Sequence, residues 1–202
     1  MLITDDGVFG DSTDILKYID PFIQEDARLY PDEPNARREV LELEDLFDRK
    51  LGPQTRRWAY AWLLDEDGVI KPMFKKAMTP GERRLSSILI PLTRVGLRKN
   101  MKLSPAVRES AFEKIRALYA DVDEKWSADK KYLCGDKFSA ADLTLASLSV
   151  PVLLPEENPW PPPADIEMPP RMKAQHEELR ATRVGQHALK MYREERARRF
   201  TR

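Results

Sequence analysis

Tyr132-Leu133-Cys134-Gly135-Asp136-Lys137-Phe138-Ser139-Ala140-Ala141-Asp142-Leu143 is the stretch whose reading decides the fold, because it specifies how one buried helix begins. Ser139 stands at an N-cap position. Asp142, three residues on, can return a hydrogen bond to the Ser139 backbone N–H, which makes a carboxylate version of the capping box. Phe138 before the cap and Leu143 after it have the spacing of a hydrophobic staple, which fixes the direction from which the chain arrives. From Leu143 to Leu154 the residues are almost all apolar or small, so this helix is expected to be surrounded by other helices.

Apolar spacing predicts helices over most of the remaining chain. Leu41, Leu43, Leu46, Phe47 and Leu51 share a face, Gly52-Pro53 interrupts it, and Trp58, Trp62, Leu63 and Leu64 resume it, so a kinked or broken long helix is expected. Thr79-Pro80-Gly81-Glu82 reads as a helix start, followed by a stripe at Leu85, Ile88, Leu89, Leu92 and Val95 with a kink at Pro91. Ser104-Pro105 opens the next helix, with Val107, Ala111, Ile115, Leu118, Val122 and Trp126 in a row. Residues 151–170 hold eight of the 16 prolines, including Pro161-Pro162-Pro163, and read as an extended connector packed through Trp160 and nearby apolar residues rather than as a continued helix. Arg171 to Arg202 is helical and charged, with a break near Gly185. Its basic end, Arg193, Arg196, Arg198, Arg199 and Arg202, reads as a solvated last turn.

The beginning differs from all of this. Leu2-Ile3 and Val8-Phe9 flank an Asp-Gly turn signal and read as a very short hairpin. Asp11-Ser12-Thr13 offers capping side chains to a short amphipathic helix carrying Ile15, Leu16 and Ile19 and stopped by Pro21. A linker over 21–34 follows, with prolines at 21, 31 and 34.

Composition excludes several classes of function. The 34 basic and 34 acidic residues cancel, which gives no overall field for nucleic acid or a membrane surface, and no apolar run approaches the roughly 20 residues that span a bilayer. A soluble, cytoplasmic protein without nucleic-acid or membrane partners is expected. The single cysteine, Cys134, excludes an internal disulfide and a cysteine-based metal site, and it reads as buried filler. His176 and His187 lack ligand spacing, so no metal is expected.

The capped segment, an apolar residue, Gly-Asp, Phe-Ser, two residues and Asp, resembles the start of the central helix in the C-terminal domain of glutathione transferases, where its role is folding. Gly10-Asp11-Ser12-Thr13-Asp14-Ile15-Leu16-Lys17-Tyr18-Ile19 resembles the end of that family's thioredoxin-like N-terminal domain, and Glu178 to Tyr192 its final helix, with Arg183-Val184 in place of a more usual proline-containing pair. The resemblance implies an all-α fold: a C-terminal-like helical bundle over 35–202, preceded by a remnant of the thioredoxin-like domain, hairpin and helix, over 1–20. It implies that Asp11 would contact the α-amino group of the γ-glutamyl end of glutathione, with the Ser12 hydroxyl and N–H holding its carboxylate. An exposed helix N-terminus suits that carboxylate physically, although ordinary capping uses the same residues.

By the same resemblance the family's cis-proline would fall where Met1 stands, and the elements that carry its thiolate-stabilising donor would precede Met1. The chain as it stands is therefore expected to be catalytically impaired, and no catalytic residue is assigned; Tyr18, Tyr30 and Tyr60 match no activating position. Glutathione conjugation or thiol transfer is expected if the missing segment is supplied. The alternative is a non-catalytic helical interaction module, and either form is compatible with a homodimer. The aromatics Trp58, Tyr60 and Trp62 lie where the family binds electrophiles, and core packing explains them equally well. A redox sensor working through Cys134 would require a lowered thiol pKa.

Overall fold

The computed structural model describes residues 1–64, 66–127, 129–159 and 168–198. Strands β1 (Leu2–Thr4) and β2 (Gly7–Phe9) pair antiparallel with Leu2 opposite Phe9, around a turn that Gly7 closes at φ +143°, a backbone region suited to glycine. Helix α1 (Ser12–Ile19) holds the hairpin. The Phe9 and Tyr18 rings lie 4.5 Å apart, and the Tyr18 hydroxyl donates to Asp6 at 2.8 Å. Leu16 packs on the main core, whereas Ile15 is half-buried and Ile19 is exposed.

The linker is itself part of the packing. Leu29 and Tyr30 are buried, the Leu29 N–H donates to the Asp20 carboxylate at 2.6 Å, and the Leu29 carbonyl accepts from the Ala140 N–H at 3.0 Å. The strap thereby satisfies one of the orphan donors at the start of the central helix.

Helices α2 (Pro34–Leu46) and α3 (Gly52–Leu63) form one long kinked rod. The expected break at Gly52-Pro53 takes the form of a π turn over Phe47–Leu51, with the Gly52 N–H bonded to the Phe47 carbonyl five residues back. Pro53 then falls in a first turn, where its missing N–H is not required. Helix α7 (Pro105–Lys125) starts on the Ser104 cap as expected. It buries Ala111, Ile115, Leu118 and Val122 of the expected row, together with Phe112 and Tyr119, against α3. Helix α8 (Ala140–Leu153) runs through the middle, touching α2, α3, α9 (Pro170–Ala181) and α10 (Arg183–Arg198). Most of α8 is buried, as a sequence apolar nearly all round requires, and Ser147 is its exposed point.

Three expectations are corrected. Pro151 does not end α8, which continues to Leu153 and stops at Leu154 in the left-handed region, φ 46°. The break in the final helical stretch lies at Thr182, three residues before Gly185: the Thr182 hydroxyl caps α10 by accepting from the Gly185 N–H at 2.9 Å. The third correction concerns residues 67–101, which form α4 (Asp67–Ala77), α5 (Pro80–Arg84, with a Thr79/Glu82 capping box) and α6 (Ser86–Met101). On α6 the expected core stripe faces out: Leu85, Ile88, Leu92 and Val95 are all more than half exposed, while Ile90 is buried beside an Arg94–Asp67 ion pair that ties α6 to α4. Helix α6 is apolar on two sides, and among the described residues its substantial helical neighbours are α4 and the short α5 that leads into it, so one side is left uncovered.

No helix among the described residues is long and apolar enough to cross a membrane. The expected contacts of Trp160 and Pro161-Pro162-Pro163, and of Arg199 and Arg202, lie outside the described residues.

Candidate functional site

The α1 N-terminus is built by its own sequence. Asp11 takes the extended N-cap conformation and its carboxylate accepts from the Thr13 N–H at 2.9 Å, so the first of the two expected ligand-holding residues is occupied with capping. Asp11 and Ser12 are both exposed. Among the described residues the Ser12 hydroxyl and N–H have no hydrogen-bond partner, which leaves donors facing outward at the positive end of the helix.

Residues that the sequence reading passed over hold this end of the molecule in place. The Thr13 hydroxyl lies 2.9 Å from Glu44 and 3.2 Å from Asp48, and the Tyr30 hydroxyl lies 3.0 Å from both Glu44 carboxylate oxygens. Glu44 is buried on α2, and burial pushes its carboxyl above the ordinary range. Burial and the neighbouring Glu44 charge together push the Tyr30 hydroxyl well above its usual value. Neither Tyr18 nor Tyr30 is therefore a free phenol aimed at a ligand thiol. A signal for Glu44 was available, since it falls on the apolar face four residues after Val40 and three before Phe47. Below the α1 N-terminus lies an open cavity of about 410 Å³ with Asp11, Asp14, Asp45 and Asp48 on its walls against Lys17 and Arg49. That balance suits a ligand ammonium better than a ligand carboxylate.

The second group forms around Asp142, which is fully buried. The capping box with Ser139 is present. The Ser139 N–H and hydroxyl both meet one Asp142 oxygen, at 3.0 and 2.7 Å, and the other oxygen accepts from the Leu133 N–H at 3.0 Å and meets His187 Nε2 at 2.7 Å. Four polar groups converge on one carboxylate, so its work is to join the turn, α8 and α10. Phe138 and Leu143 pack against the core and line a common apolar cavity. Cys134, in the same turn, is half-buried; burial, Glu39 and Asp142 push its thiol up to about 12, which suits packing and not redox chemistry.

Trp58 and Trp62 are core residues. Both indole N–H groups point at Gln175 Oε1, at 2.8 and 3.3 Å, and the Arg108 guanidinium lies 3.7 Å from the Trp62 ring centroid. His176 stacks edge-on against Trp58 and its Nδ1 lies 2.6 Å from the Val152 carbonyl, one of the oxygens that the end of α8 leaves without a helical partner. Donation by Nδ1–H leaves Nε2 bare and buried, with no hydrogen-bond partner among the described residues, and burial holds the imidazole below its ordinary pKa.

Because the folded state disfavours the charged ring, the unfolded chain binds the proton more readily. Stability is then complete above the unfolded value of about 6.5 and falls as the pH is lowered through it, at no more than ~1.4 kcal/mol per pH unit from this group. Urea unfolding at pH 7.5 and pH 5 should show that loss in wild type, and less of it in a His176→Asn variant, which keeps a donor for Val152. An equal loss in both would remove His176 as the cause.

A family model described as Glutathione S-transferase, C-terminal domain, matches residues 90–152. That span takes in most of α6, all of α7, the turn with its capping box, and nearly all of α8. No curated protein matches the chain. This match, over a span whose capped central helix is enclosed by α2, α3, α9 and α10, supports a relationship between the chain and the glutathione transferase family.

Proposed function

We propose that this chain belongs to a glutathione transferase-like protein in which residues 1–20 are the end of a thioredoxin-like domain and Asp11 and Ser12 hold the γ-glutamyl end of glutathione. The supporting observation is the outward-facing pair of Ser12 donors at the α1 N-terminus, beside the Asp11 carboxylate and an acid-rich cavity. In this reading the glutathione ammonium meets Asp11, its carboxylate meets the Ser12 hydroxyl and N–H, and Glu44 with Tyr30 keeps α1 seated on α2. Conjugation or thiol transfer needs, in addition, a donor that holds the ligand thiol as thiolate, and no residue of this chain is assigned that part. The family relationship makes a homodimer and a small electrophile natural partners.

Calorimetric titration with glutathione tests the anchor. Saturable heat with a Kd of about 1 mM, on the order of −4 kcal/mol, is expected for the chain, and at least tenfold weaker binding for an Asp11→Ala, Ser12→Ala double variant. Binding that survives in the double variant, or wild type that gives no saturable heat, would sink the anchor.

A second reading, a non-catalytic helical interaction module, is favoured by the uncovered apolar side of α6 at Leu85, Ile88, Leu92 and Val95. Absence of glutathione heat would leave it as the better account.

A further inference from the structure

The uncovered side of α6 belongs to the most positive part of the chain. Residues 67–102 hold nine of the 34 basic residues and two of the 34 acidic ones, so overall neutrality conceals a strongly cationic segment. Both acids are engaged locally. Asp67 pairs with Lys71 and Arg94, and one Glu82 oxygen accepts from the Thr79 N–H and hydroxyl, each at 2.8 Å.

Apolar surface and charge are laid out in order along this segment. From Leu85 to Leu97 the one charged residue is Arg94, which is turned toward Asp67 of α4. With about 3.6 residues per turn, Leu85, Ile88, Leu92 and Val95 fall on one arc of the helix with Pro91 and Gly96 at its margins. All six are exposed, and Ile90 on the opposite side is buried. This uncharged arc takes in nearly half of the circumference over a length of about 20 Å. Exposed cations bracket it: Arg83 and Arg84 come before, and Arg98, Lys99 and Lys102 after.

That layout discriminates among occupants. A second copy of α6 laid on the first, parallel or antiparallel, would set cations against cations at both ends. A partner helix needs only a narrow apolar seam, and would have to bring acids to two fixed places about 20 Å apart. A lipid surface requires what α6 has: a broad apolar face to sink among acyl chains, Lys and Arg side chains that reach the headgroups from either end, and local positive charge facing anionic lipid.

We propose that α6 lies flat on an anionic membrane surface, with Leu85, Ile88, Leu92 and Val95 among the acyl chains and Arg83, Arg84, Lys99 and Lys102 at the headgroup phosphates and carboxylates. The contact is peripheral, since α6 is not long and apolar enough to cross a bilayer. Whole-chain charge, on which the expectation of no membrane partner rests, does not describe this segment. Asp11 and Ser12 play no part in it, so the proposal stands or falls independently of glutathione binding, and it assigns to lipid the side of α6 that an interaction module would offer to a protein.

Flotation of the full chain with unilamellar vesicles tests this, using phosphatidylcholine alone and phosphatidylcholine with about 30% phosphatidylserine. Partition onto the anionic vesicles is expected to be at least tenfold stronger than onto the neutral ones. An Ile88→Ser, Leu92→Ser variant removes apolar surface, and an Arg83→Gln, Arg84→Gln, Lys99→Gln, Lys102→Gln variant removes charge. Every one of these positions is exposed, so both variants should keep the wild-type urea midpoint while partitioning at least fivefold more weakly. Wild type that stays unbound would overturn the proposal and return this side of α6 to a protein partner. Equal partition onto both kinds of vesicle, or undiminished binding in either variant, would overturn it too.

Discussion

Asp142→Ala is expected to remove about 3–5 kcal/mol of stability, a large share of the ~5–15 kcal/mol that a domain of this kind possesses. The reason is geometric. With the carboxylate gone, the Leu133 and Ser139 N–H groups, the Ser139 hydroxyl and His187 Nε2 all lose an acceptor, in a place where the wild-type carboxylate is fully shielded from water. Asp142→Asn keeps one oxygen acceptor and the volume, so it should cost less, roughly half as much. Urea denaturation of the three proteins measures both. A loss below about 1 kcal/mol for the alanine variant would show that the turn, α8 and α10 are not held together at this point.

Gly185→Ala carries the second large effect, and here two principles predict opposite signs. In an isolated helix alanine is favoured over glycine by about 1 kcal/mol, so propensity alone predicts a more stable α10. The structure predicts the reverse. A methyl group at residue 185 would stand well inside van der Waals contact of the Leu179 carbonyl oxygen, and 3.0 Å from both the Leu179 carbonyl carbon and the Thr182 hydroxyl oxygen. Those atoms are the end of α9 and the cap of α10, so neither can yield without breaking the corner that Thr182 makes by donating to Leu179 and accepting from Gly185. A loss of about 3 kcal/mol or more is expected in thermal or urea unfolding. A stabilised variant would mean that the two helices separate easily there.

Some of this architecture is legible in local sequence because its cause is local. Ser139 and Asp142 are three residues apart, and so are the partners in the caps at Asp11, Thr79 and Ser104 or nearly so. A capping bond spans a single turn, and the residues that make it identify themselves. The row along α7 is legible for the same kind of reason, since one clean apolar face leaves one orientation. Helix α6 shows where that reasoning fails. It carries apolar residues on two sides, and periodicity cannot say which one its neighbour covers; Ile90 turned in while Leu85, Ile88, Leu92 and Val95 turned out. Gly185 was read as a helix breaker, yet it sits inside α10 because of a close approach by α9 that no local pattern records.

The sequence by itself determined the helical class, the start of the central helix, the hairpin ahead of α1 and the Asp11 cap, because each follows from hydrogen bonds or periodicities within a few neighbouring residues. Only the tertiary structure decided that Asp142 reaches His187, that Tyr30 and Thr13 meet on Glu44, and that Trp58 and Trp62 share Gln175. Most of those partners are tens of residues apart along the chain. Their pairing is fixed by how the helices pack, and side-chain chemistry at a distance leaves no periodic mark in the order of residues.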